Sequence, residues 1–119
     1  MAVTEVMMPI LDREAALSRV GGDVDLLREV GAIFLKECPS AMTDLRNAVA
    51  ARDAQDIERK AHSIKGSVST FGAGPAFQAA LELERQGRSL DLHEVESNLQ
   101  QFESSLERLC LELQMFVSH

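Results

Sequence analysis

From Val95 to Phe116 the apolar residues Val95, Leu99, Phe102, Leu106, Leu109, Leu113 and Phe116 recur at alternating steps of four and three. Only a helix gathers residues so spaced onto one face; a strand would need every second position. The same steps run through Leu27, Val30, Phe34, Cys38, Ala41, Leu45 and Ala48, and again through Ile57, Ala61, Ile64, Val68 and Phe71. Stripes of this kind bury themselves at shallow crossing angles, so the periodicity predicts an all-α chain folded as an antiparallel four-helix bundle.

Local signals set the boundaries. Asp12, Asp23 and Asp53 are N-cap residues in front of apolar-periodic runs, and their carboxylates can accept from the first free backbone amides. Gly21-Gly22 closes a short helix around Ala16, Leu17 and Val20, expected to lid the bundle. Pro75 suits a first helical turn, Gly87 is read as ending that helix, and Asp91-Leu92-His93-Glu94 resembles a capping box. The bundle helices are therefore expected at about 23–51, 53–71, 75–87 and 92–117, with the lid helix at about 12–20. The stripe of the helix over 23–51 passes Pro39 without changing phase, which predicts a bend near Lys36 to Pro39 rather than two helices. Residues 1–9 have no period and read as a lead-in or linker, and residues 10–119 read as one domain.

Composition narrows the function. A chain of 119 residues buries about two-thirds of its unfolded surface, enough for one complete core and hence a monomer. The net charge of −7 opposes binding to nucleic acid or an anionic membrane, both of which need clustered cations. No apolar run approaches a membrane span and the first residues lack the order of a secretory signal, which points to the cytoplasm. Cys38 and Cys110 lie far apart in the sequence on apolar faces, outside any CxxC pair, and are expected to behave as small buried hydrophobes rather than as a disulfide or metal ligands.

His62 stands off the stripe of its own helix. With Ile57 at zero, the 100° step puts His62 at about 140°, Lys65 at about 80°, Glu58 at about 100°, Ser69 at about 120° and Gly66 at about 180°. The imidazole thus faces solvent, with a cation and a glycine one turn on. A mid-helix glycine costs about 1 kcal/mol relative to alanine. Here its evident gain is bare backbone, which another surface or a group carried on the imidazole could approach, while Lys65 offers positive charge to an anion. The turn at positions 72–74 adds a second inference. Helices on either side rise equally, so His62 and Glu84, each eleven residues from position 73, stand at one height. A carboxylate there could accept from Nδ1–H and leave Nε2 free to attack. Glu84 could instead pair with Arg85 or Arg88 on its own helix.

The run His62-Ser63-Ile64-Lys65-Gly66-Ser67, closed by Phe71-Gly72, resembles the signature of histidine-containing phosphotransfer domains, a family that includes the phosphorylated first domain of chemotaxis-type kinases. The resemblance extends in helix order and length over roughly residues 10 to 117. It implies that His62 is a phosphoacceptor taking a phosphoryl group from a receiver-domain aspartate and passing it to another. It also implies that Lys65 stabilises phosphate charge and that Glu84 orients the ring, as a glutamate or glutamine at this offset does in several members. Response-regulator receiver domains would dock on Glu58, Arg59, Gly66 and Ser69, and a hybrid sensor kinase would feed the relay. Mg²⁺ would arrive with the receiver, since the chain offers no metal cluster of its own, and no cofactor is expected. Glycine-rich phosphate loops and nucleotide motifs are absent, so the reading is a stoichiometric carrier and not an enzyme. Two other readings stay open: a domain cut from a hybrid sensor or chemotaxis-type kinase, and a helical interaction module without chemistry. His93 and His119 read as surface residues, and Phe34, Phe77, Phe102 and Phe116 as core.

Overall fold

The computed structural model describes residues 10–72 and 74–118. The expected lead-in at residues 1–9 and His119 lie outside the described residues. Among the described residues five helices follow in order: α1 (Arg13–Arg19), α2 (Val24–Ala50), α3 (Ala54–Ser69), α4 (Gly74–Ser89) and α5 (Val95–Val117). The four longer ones form the antiparallel bundle and α1 closes one end. Among the described residues no helix is long and apolar enough to cross a membrane.

Every residue of the α3 stripe, from Ile57 to Phe71, is buried, as are Leu27, Phe34 and Leu45 of α2 and Val95, Phe102, Leu106, Leu109, Leu113 and Phe116 of α5. Phe71 meets Phe34 edge to face, with centroids 5.2 Å apart, a favoured arrangement of the two ring quadrupoles. Phe77 is only partly buried, at the margin of this core.

All three aspartate caps form. Asp12, Asp23 and Asp53 accept from the backbone N–H of Ala15, Leu26 and Asp56 at 3.0, 3.0 and 3.2 Å. The lid is tied down by its backbone: the N–H groups of Ile10 and Leu11 donate to the Glu112 carboxylate of α5, and Asp12 N–H donates to Phe71 O at 3.0 Å. α2 runs through Pro39 as one helix, and Thr43 Oγ1 donates to the Pro39 carbonyl at 3.0 Å.

Two sequence expectations need correction. Gly87 does not end α4, which continues to Ser89; the left-handed residue that turns the chain is Leu90, with φ 61°. Glycine is the usual residue for that conformation, and a leucine that is 77% exposed takes it here. Gly87 instead lies where α4 presses on the start of α3, for a Cβ there would sit 2.6 Å from Ala54 O and 2.7 Å from Glu58 N. The second correction concerns α5, which starts at Val95, so 92–94 are not helical. Glu94 makes no side-chain cap, and Asp91 Oδ1 accepts from His93 N–H, two residues on, at 3.3 Å. The aspartate forms a local turn in place of the capping box. His93 is exposed in this turn, ahead of the helix.

The glycines of α3 and α4 thus differ in kind, since a Cβ on Gly66 would meet nothing within 4 Å. Gly66→Ala should raise unfolding stability by about 0.5–1 kcal/mol through helix propensity alone. Gly87→Ala should lower it by about 2 kcal/mol, because backbone atoms cannot step aside. Urea unfolding of the two variants beside the parent measures both signs.

Candidate functional site

The α3–α4 hairpin carries the site, and its near-symmetry about position 73 decides what meets what. His62 Nδ1 lies 2.8 Å from Glu84 Oε2. The imidazole is 68% exposed while the Glu84 side chain is 3% exposed, so one edge of the ring is held from below and the other faces water.

Glu84 is held from three sides. Lys65 Nζ lies 2.7 Å from its Oε1, and Arg88 Nη2 donates to its Oε2 at 2.9 Å, alongside His62. Arg88 also donates through Nε to Glu58 Oε2 at 3.0 Å, which links the start of α3 to the end of α4. The close Lys65 ammonium holds the Glu84 carboxyl below the usual range; burial opposes this, and His62 adds to the lowering. The group is therefore a carboxylate at neutral pH. A carboxylate only accepts, so the proton between it and the ring belongs to Nδ1, and in the neutral ring the lone pair is then on Nε2, at the solvent side.

The hairpin does not treat the other expected residues alike. Lys65, expected beside an added anion, is turned inward: its side chain is 19% exposed, bound to Glu84 and lying 5.9 Å from the centroid of Phe77. Gly66 faces open space, one turn beyond His62. Ser69 Oγ donates to Gly66 O at 2.7 Å and so serves the last turn of α3. Glu58 and Arg59 line an open groove with Gln55, His62, Glu84 and Arg88, and Arg59 is also paired with Asp56 at 2.8 Å. Arg85 pairs with Glu82 rather than with Glu84. Among the described residues no three His, Cys, Asp or Glu side chains converge as a metal site.

Arg88 and Gln55 belong to the site without having been assigned to it from sequence. Arg88 was legible, for Glu58 and Arg88 are each fifteen residues from position 73, the same relation that pairs His62 with Glu84. Gln55 carries no such signal.

An exposed helical histidine with its inner nitrogen held by a buried carboxylate is the arrangement that a phosphoryl carrier needs. The Hpt domain family matches residues 29–114 of this sequence. The chain belongs to the Hpt domain family. Its fold is similar to the crystal structure of histidine-containing phosphotransfer protein B (HptB) from Pseudomonas aeruginosa PAO1, with a TM-score of 0.84 over 92% of this chain and 96% of that one at 24% identity. At that identity the likeness is one of fold. No curated protein matches the chain. Hpt domains are phosphocarriers rather than kinases, and they interact with receiver domains of two-component systems.

Because the Glu84 carboxyl is shifted down in the folded state, its contribution to stability is present above the ordinary glutamate pKa near ~4.3 and is lost as the pH falls through the lower folded value. Glu84→Gln should cost about 1–2 kcal/mol at pH 7. The gap between variant and parent should narrow steadily in acid below that ordinary value, as denaturant titrations across a pH series would show.

Proposed function

We propose that His62 accepts a phosphoryl group at Nε2 from the aspartyl phosphate of one receiver domain and gives it to the aspartate of another. The observation that carries this reading is the hydrogen bond from Nδ1 to buried Glu84 beneath an otherwise exposed ring. In the forward step the Nε2 lone pair forms the N–P bond as the acyl O–P bond breaks, and the aspartate leaves as a free carboxylate. Nε2 has no proton to lose. The ring becomes more positive as the bond forms, and the carboxylate at Nδ1 stabilises that charge. The return step is the reverse, so the chain is consumed and regenerated stoichiometrically.

Within this reading Glu84 is a positioning residue, acting through His62, and Lys65 and Arg88 keep it ionised and in place. Lys65 stabilises phosphate charge only by exchanging its Glu84 contact for the phosphoryl oxygens. The receiver docks over Glu58, Arg59, Gly66 and Ser69, where the bare backbone at Gly66 lets it come close. Mg²⁺, which neutralises phosphoryl oxygens during transfer, belongs to the receiver. The residues around His62 do not suit it, since the buried carboxylate there is already paired with the Lys65 and Arg88 cations and bonded to the imidazole. A hybrid sensor kinase upstream, a monomeric cytoplasmic carrier, and residues 10–119 acting as one domain complete the proposal.

Incubation with a phosphorylated receiver and Mg²⁺ should place acid-labile phosphate on the parent chain and none on His62→Gln; equal labelling of the two would end the assignment. Gly66→Leu should remain folded yet transfer about 100-fold more slowly, because a side chain there holds the reacting atoms apart. Lys65→Gln separates the two roles of that lysine. Faster loss of phosphate from the loaded chain marks contact with the phosphoryl group, whereas a slower transfer with unchanged phosphohistidine lifetime marks action through Glu84.

A further inference from the structure

The two cysteines of the chain, 72 positions apart, face each other across α2 and α5 with their sulfurs 3.7 Å apart. Both are free thiols, Cys38 buried and Cys110 partly exposed. They lie in the wall of an open surface groove shared with Met42, Arg46, Glu103 and Glu107, on helices other than the α3–α4 pair that carries His62. Nothing in phosphoryl transfer uses them. Arg46 bridges the groove to Glu103, and beside that pair Cys110 is left partly open to solvent.

We infer that Cys38 and Cys110 form an oxidation site at which a small peroxide converts the two thiols into one intramolecular disulfide joining α2 to α5. The Cys38 thiolate attacks one peroxide oxygen, the O–O bond breaks, and the departing hydroxide takes up a proton to leave as water. The resulting sulfenic acid is attacked at sulfur by Cys110, the S–S bond forms, and the sulfenic oxygen leaves as a second water. Two thiols have then lost two protons and two electrons to one peroxide. The sulfurs must close from 3.7 Å to about 2.05 Å.

The surroundings bias the two thiols in opposite directions. Cys38 is favoured as the thiolate because the hydrogen bond with Cys110, and then the nearby Arg46 cation, lower its pKa against the opposing effect of burial. Cys110 is pushed the other way by Cys38, by burial and by Glu107, so it stays protonated until the sulfenic acid is beside it.

The test treats the full chain with a few equivalents of hydrogen peroxide and reads intact mass, free thiols and thermal unfolding, none of which depends on phosphotransfer. The expected result is a monomer lighter by about 2 Da, with both thiols lost together and restored by dithiothreitol. The oxidised form should melt roughly 5–15 °C higher, because the cross-link closes a long loop in the unfolded chain. Cys110→Ser should stop at a sulfenic acid on Cys38 that dimedone captures, and neither Cys110→Ser nor Cys38→Ala should show the 2 Da loss or the rise in melting temperature. The inference is overturned if the parent keeps both thiols, gains oxygen as sulfinic acid without losing about 2 Da, or oxidises only to disulfide-linked dimers. Its failure would leave the reading of His62 untouched, and failure of labelling at His62 would leave this one untouched.

Discussion

One carboxylate, that of Glu84, organises the working face of this protein. It is buried on α4 and takes contacts from Lys65, His62 and Arg88. An unpaired carboxylate at that depth would be strongly unfavourable, and pairing makes it tolerable. The same contacts fix which nitrogen of His62 holds its proton, set the ring's direction and clamp α3 to α4. The orientation of the imidazole therefore follows from the burial of its neighbour.

That carboxylate can reach the ring only because α3 and α4 approach closely, and the approach depends on Gly87. Where most helix pairs interpose side chains, the Gly87 backbone rests against Ala54 and Glu58. At the other end the pair is joined by the short turn after Phe71. Fixed at both ends, the two helices hold positions equidistant from the turn in register, so His62 meets Glu84 and Glu58 meets Arg88. Gly66 serves the opposite purpose on the outer face, keeping space open rather than letting an element in.

Much of this could be read before the structure. The helices and the core are written in the four-three spacing, because burial of an aliphatic stripe is the strongest signal a sequence carries. The aspartate caps were legible because a carboxylate ahead of an apolar run has few other uses. The level of His62 with Glu84 followed from counting residues across a short turn, and Arg88 would have followed from the same count. What escaped were effects set by neighbours distant in sequence. A glycine reads as a helix stop, yet Gly87 is a contact point and Leu90 makes the turn. Asp91 prefers its own local turn to capping α5. Lys65 was expected to meet an anion added at His62, but a flexible lysine follows the nearest buried anion. The meeting of Cys38 with Cys110 depends on the rotation of α2 against α5, and spacing within either helix says nothing about that.

The whole site lies on two helices adjacent in the chain, and the longest side-chain link within it, Arg88 to Glu58, spans 30 positions. Contacts of such short range cost little loop entropy to close and belong to the part of a topology that assembles quickly. The platform that carries His62 is thus a locally encoded unit, whereas α1 and α5 reach it only by long-range packing. Substitutions in the surrounding helices can then alter the outer surface while the contacts that orient the histidine stay within one hairpin.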